Sequence, residues 1–130
     1  MVKYILDTTA CIALIRGNKN VLNTIFERGE VNCLVSEMTI AELFYGASKS
    51  GRPSQFQDVQ YILESFETVP IFPSLRTYGE VKSLLEAKGM RIDEFDLLIG
   101  ATALVNSMTL VTHNTKHFQR IPNLKLEDWE

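Results

Sequence analysis

The residues of this sequence best suited to chemistry are three carboxylates far apart in the chain. Asp7 ends the apolar run Val2 to Leu6, Glu42 stands early in a helix-patterned stretch, and Asp96 follows Asp93 by three residues. Around Asp96 lie Phe95, Leu97, Leu98, Ile99, Ala101, Ala103, Leu104 and Val105, so the segment is apolar nearly all round. A helix of that kind is buried, and an ionised Asp on it needs a strong partner. No Lys or Arg lies within one helical turn on its C-terminal side. A divalent cation supplies the missing charge, and a hard ion such as Mg²⁺ takes carboxylate oxygens.

A scaffold must bring these acids together. Val2 to Leu6 reads as a first strand, Thr8 to Ile15 as a short helix ending near Gly17, and Asn20 to Glu27 as a helix closed by Arg28 and Gly29. Val31 to Val35 reads as a second strand. Ser36 to Lys49 is then a helix with Ile40, Leu43, Phe44 and Ala47 on one face. After a loop, Gly51 to Ser54, a fourth helix runs to Phe66 and buries Phe56, Val59, Ile62, Leu63 and Phe66. Thr68 to Ile71 is a third strand, Ser74 to Lys88 a helix stopped by Gly89, and Asp93 to Asn106 a sixth helix. Thr109 to Thr112 is a fourth strand, His113 to Lys116 a polar turn before Phe118, and Leu124 to Leu126 an edge strand.

Strands alternating with helices point to an α/β fold. We expect one domain over residues 1–130, with a central, mostly parallel sheet of four to five strands flanked by helices. Ligands of such sheets gather at the carboxyl ends of the strands. Asp7, Glu42, Asn114 and His117 all follow strands. The helix from Asp93 runs antiparallel to the sheet, which brings Asp96 to the same edge.

Each acid also has an ordinary structural role. Asp7 suits an N-cap, Thr39 to Glu42 is a capping-box pattern, and Asp96 is an acid in a first turn. Their arrival at one edge favours a shared site. Asp93 reads first as a helix cap and His113 as an exposed turn residue. Arg16, Lys49, Arg52, Lys116 and Arg120 are either solvated surface or contacts for phosphates.

The net charge of −3 runs against a dedicated nucleic-acid binder, which draws its affinity from phosphate contacts. A carboxylate metal site itself pushes the count negative, however, and the bound cation inverts the local field. Cys11 and Cys33 are too few for a zinc motif and fit the core of a protein in a reducing compartment. We find no signal peptide and no apolar run near the roughly 20 residues a bilayer requires. The expectation is a soluble, cytoplasmic protein that does not bind membranes.

At these residues the chain resembles the PIN-domain family, and within it the VapC toxins of prokaryotic toxin–antitoxin pairs. The resemblance covers nearly the whole length. It is carried by Tyr4 to Thr8 (YILDT), Thr39 to Ala47 (TIAELFYGA), Ile92 to Ala103 (IDEFDLLIGATA) and Leu110 to Phe118 (LVTHNTKHF), with Leu126 to Trp129 (LEDW) closing the pattern. It implies a metal-dependent endoribonuclease that uses Mg²⁺ or Mn²⁺ and leaves a 5′-phosphate and a 3′-hydroxyl. Asp7, Glu42 and Asp96 are then catalytic, with Asp7 and Asp96 as metal ligands and Glu42 orienting or deprotonating the attacking water. Thr9, Asp93, Thr112, Asn114 and His117 fall at the rim or behind the ligands. The partners implied are an RNA substrate, a cognate antitoxin that inserts a basic side chain among the acids, and a second copy of the chain met through Phe56, Tyr61 and Phe66.

Two positions depart from the family pattern. Thr9 stands where Asn or Ser is usual and keeps a hydroxyl. His117 replaces an acid just before Phe118, which argues for tight binding of a single Mg²⁺, because imidazole suits softer ions better. The competing reading is a catalytically weak PIN-like module that binds RNA or protein. A phosphoaspartate enzyme lacks its second acid at Thr9, and no G-x-G-x-x-G follows the first strand to hold a dinucleotide.

Overall fold

The computed structural model describes residues 1–130, whose apolar runs become short strands, three of them fully buried. They are β1 (Tyr4–Leu6), β2 (Cys33–Ser36), β3 (Glu67–Val69), β4 (Thr109–Val111) and β5 (Leu126–Glu127). Between them lie α1 (Thr8–Ile15), α2 (Lys19–Arg28), α3 (Glu37–Ser50), α4 (Pro53–Ser65), α5 (Leu75–Ala87), α6 (Glu94–Val105) and the single turn α7 (Thr115–Phe118). All strand pairs are parallel, in the order β3-β2-β1-β4-β5. The chain winds outward from β1 to β2 and β3, then returns to place β4 on the other side of β1. That reversal makes the carboxyl ends of β1 and β4 the natural crevice of the fold.

Side chains alternate across a strand, so each strand feeds two cores. Tyr4, Leu6, Cys33, Val35 and Val111 face one layer with Ala10, Leu14, Ile25, Leu43, Val59, Ile62 and Trp129. Ile5, Leu34 and Leu110 face the other with Leu85, Leu97, Ile99, Ala103 and Phe118. Cys11 and Cys33 are buried and unpaired. Burial holds both thiols high, Cys33 at about 11, so neither is a ready nucleophile.

Side chains at the ends of several elements set where the helices start. Asn18 Oδ1 accepts from Val21 N at 3.1 Å to begin α2, and Ser36 Oγ accepts from Met38 N at 3.0 Å to begin α3. Gly51, at φ 67°, takes the left-handed conformation that ends α3, and Pro53 opens α4.

The expected boundaries shift where a local feature overrides the apolar pattern. Val31 lies in a 3₁₀ turn, Glu30–Asn32, and is 80% exposed; Asn32 Nδ2 donates to the Arg28 carbonyl at 2.8 Å and delays the strand to Cys33. Ile71 leaves the third strand because Pro70 has no N–H for the ladder, and its own N–H donates to Glu37 Oε1 at 2.7 Å. Residues 115–118 form a helical turn rather than a continued loop. Thr39 lies inside α3, whose cap is Ser36, so Thr39 to Glu42 is not a capping box. Phe44 and Phe56 point outward, while Phe66 is buried in the core, as the pattern of the fourth helix expected, and is not available to a dimer surface. Helix α6 is not buried all round: Phe95 and Val105 are partly exposed.

Candidate metal centre

Asp7 follows β1 directly, and it is both cap and site. Its Oδ1 accepts from Ala10 N at 2.9 Å, opening α1, and from Thr9 Oγ1 at 2.7 Å. The carboxyl is 2% exposed. Burial pushes its pKa up, and hydrogen bonds from Thr112, Thr9 and Ala10 work in the opposite direction. Thr9 also ties the two central strands together: its Oγ1 accepts from His113 N at 3.0 Å and lies 3.5 Å from Thr112 Oγ1. Thr112 in turn accepts from Asn114 N at 2.9 Å.

Glu42 sits in the second turn of α3, half-buried. Thr8 Oγ1 donates to its Oε1 at 2.5 Å and lies 3.5 Å from the hydroxyl of the fully buried Thr39. Burial raises the Glu42 pKa, Thr8 lowers it, and the charges of Asp93 and Asp7 raise it again. Thr8 and Thr39 were not singled out from the sequence. Thr8 adjoins Asp7, and Thr39 shares a helix face with Glu42 three residues later, a spacing that had suggested only a cap.

Asp96 lies in the first turn of α6. Its pKa is raised to about 7 by burial first, then by the charges of Asp93, Glu42 and Asp7. Asp93 is the N-cap of α6, accepting from Phe95 N at 3.1 Å, and adds its charge to the same field. From α7, His117 Nε2 comes within 3.2 Å of Asp96 Oδ2, while its ring packs edge-on to Phe118 with centroids 5.9 Å apart. Asn114 begins α7, exposed, with no capping bond from its side chain. Glu94, next to Asp93, is engaged elsewhere by Lys82 and Tyr78, and its pKa is lowered.

No Lys or Arg lies within 4.0 Å of Asp7, Glu42, Asp93 or Asp96; the ion pairs of this chain involve other acids, His117 on Asp96 excepted. Carboxylates whose charges raise the pKa of Glu42 and Asp96, with no Lys or Arg among them, make a donor set suited to a hard divalent cation. The oxygens of Asp7, Glu42 and Asp96 do not all close to within 4.8 Å of one another, whereas ligand atoms of the exposed His113, Asp128 and Glu130 do. We favour the carboxylate set. Asp7 is buried, Glu42 and Asp96 are half-buried, and no Lys or Arg stands beside them; Mg²⁺ is commonly held by only one or two carboxylates with water completing its shell.

The PIN domain model matches residues 4–124 of this chain. Ribonuclease VapC2 of Rickettsia felis is 39% identical, with 98% of each chain covered. The tRNA(fMet)-specific endonuclease VapC of Salmonella typhimurium is 29% identical over 99% of each. Among solved structures, VapBC2 from Rickettsia felis bound to a DNA fragment from its promoter matches with a TM-score of 0.92 at 35% identity, and DNA-bound VapBC from Salmonella typhimurium with 0.93 at 28%; both matches cover 100% of each chain.

Proposed function

This chain belongs to the PIN domain family, and from that premise we propose that it is a divalent-metal-dependent endoribonuclease, the toxin of a VapBC-type toxin–antitoxin pair. The observation that carries the reading is the carboxylate field at the β1–β4 crevice, where Asp96 is pushed to about 7 with no Lys or Arg beside it.

Asp7 and Asp96 would hold Mg²⁺ or Mn²⁺. When bound, such an ion supplies Lewis acidity at a phosphate oxygen and lowers the pKa of water from ~15.7 toward neutrality. Glu42 takes the proton of the attacking water. Thr8 fixes which of its oxygens is occupied and lowers its pKa against the larger effect of burial, which raises it. Thr9 and Thr112 likewise work against the upward push of burial on Asp7. Asn114 and His117 line the rim on the α7 side, and Asp93 contributes charge while capping α6. The products carry a 5′-phosphate and a 3′-hydroxyl.

The acidic pocket suits a guanidinium fork, which binds carboxylate in bidentate fashion, so the cognate antitoxin would inhibit by placing an Arg among Asp7, Glu42 and Asp96. Self-association through Phe56 and Tyr61, 42% and 48% exposed, completes the assembly. No helix is long and apolar enough to cross a membrane.

Sequencing RNA 5′ ends after brief expression tests the activity. New 5′-phosphate ends in cells making the wild-type chain, and none with Asp96→Asn, are the expected result. Equal ends from both would remove the carboxylates from the reaction.

A further inference from the structure

A cavity of about 420 Å³ opens beside the carboxylates, with Thr8 and Glu42 in its wall. Arg16, just past the end of α1, and Arg52, just before α4, line it as well. Neither guanidinium has a carboxylate within 4.0 Å; the ion pairs of the chain are made by Arg28, Arg76, Lys82 and the two histidines. Asp58, in the same wall, pairs with neither. Arg52 gives α4 no side-chain cap, and Pro53 opens the helix, so the positive end of its dipole also lies at this cavity. Two guanidiniums without ion pairs, one past the end of α1 and one before α4, and a helix start without a side-chain cap therefore meet on one concave surface in a chain whose net charge is −3.

From this convergence we propose that Arg16 and Arg52 form a phosphate-binding subsite, holding a backbone phosphate of the RNA strand that flanks the bond cleaved beside Glu42. The inference rests on the hydrolase reading above and adds where the strand runs. RNA is favoured over an acidic peptide by continuity: the cavity shares Thr8 and Glu42 with the carboxylate centre, so its occupant extends directly to the reacting position. A strand led toward an acidic site also needs local cations, because phosphate contacts fix its register and supply its affinity. Arg16 and Arg52 are positioning residues; they act by holding the strand, and the loss on removing them falls on KM.

The test is anisotropy titration of a short labelled single-stranded RNA with the purified chain, with chelator present, at salt from about 50 to 200 mM. Cleavage with Mn²⁺ is assayed separately on the same proteins. Arg16→Ala/Arg52→Ala should weaken binding at least tenfold and flatten the salt slope by at least about 0.7, the share of one single-strand phosphate. The double Lys variant should keep most of the slope, and Asp58→Asn should tighten binding severalfold by removing a charge that opposes the phosphate. Affinity and slope unchanged in the double Ala variant would overturn the proposal. So would intact RNA binding with loss of antitoxin binding only, which would make the occupant a peptide. Arginine-dependent binding by a wild-type chain that never cleaves would support the subsite and overturn the hydrolase reading instead.

Discussion

Glu42 owes the lowering of its pKa to one contact, and that contact can be removed. Thr8→Val leaves the Glu42 carboxylate without the hydroxyl that lowers its pKa. A hydrogen bond to a charged group is worth about 1.5–3 kcal/mol, so kcat should fall about tenfold or more, and the acid limb of the pH–rate profile should move to higher pH. Thr8→Ser should restore both. Asp96 carries a pH signature of its own. Its native pKa of about 7 lies above the ordinary 3.8, so between those values the folded chain binds the extra proton. Stability of the cation-free protein therefore falls as pH rises from about 4 to 7, and the deficit is complete above 7. Thermal melts with chelator should show that fall in the wild type and a much shallower one in Asp96→Asn; identical profiles would deny Asp96 its raised pKa. Divalent ions compete with the same proton, so their apparent affinity should drop below pH ~7. His117→Asp replaces an imidazole beside Asp96 with a carboxylate and should tighten Mg²⁺ in calorimetric titration. Unchanged affinity would confine His117 to packing on Phe118.

At the scale of elements, the start of α6 carries two jobs on one residue. Asp93 caps the helix and charges the field around Asp96. Asp93→Asn keeps a good cap and removes the charge, so stability should hold while divalent-ion affinity falls. Asp93→Ala should lose both, at ~1 kcal/mol for the cap in chemical denaturation. Equal ion affinity in wild type and Asp93→Asn would leave the cap as its sole role. The sequence made much of this level readable. Short β-favouring runs, helix-period apolar faces and the Gly29, Gly51 and Gly89 stops marked the elements, and their alternation implied the parallel sheet. The acids were legible because each follows a strand or opens a helix. Readings failed where a single non-periodic contact decided the outcome: Asn32 bonding back to Arg28, and Pro70 ending β3. Thr8 with Glu42, and His117 with Asp96, were hidden for another reason. Both pairs are made by packing between distant segments, which local spacing does not encode.

For the whole molecule, the strand order explains why so small a chain has room for a site. The reversal at β1 puts the carboxyl ends of β1 and β4 side by side, and α3, α6 and α7 bring Glu42, Asp96 and His117 to the site. The same architecture leaves Phe56 and Tyr61 on the outer side of α4, so the purified chain should have the mass of a dimer by light scattering at micromolar concentration. A strictly monomeric mass would refute that assembly. The carboxylate centre itself is tested most directly by incubating RNA with purified wild-type chain and with Asp96→Asn, each with Mn²⁺ and with chelator. Cleavage by the wild type in Mn²⁺ alone, leaving 5′-phosphate ends, is the predicted result; equal cleavage by folded Asp96→Asn, or by the wild type in chelator, would contradict it.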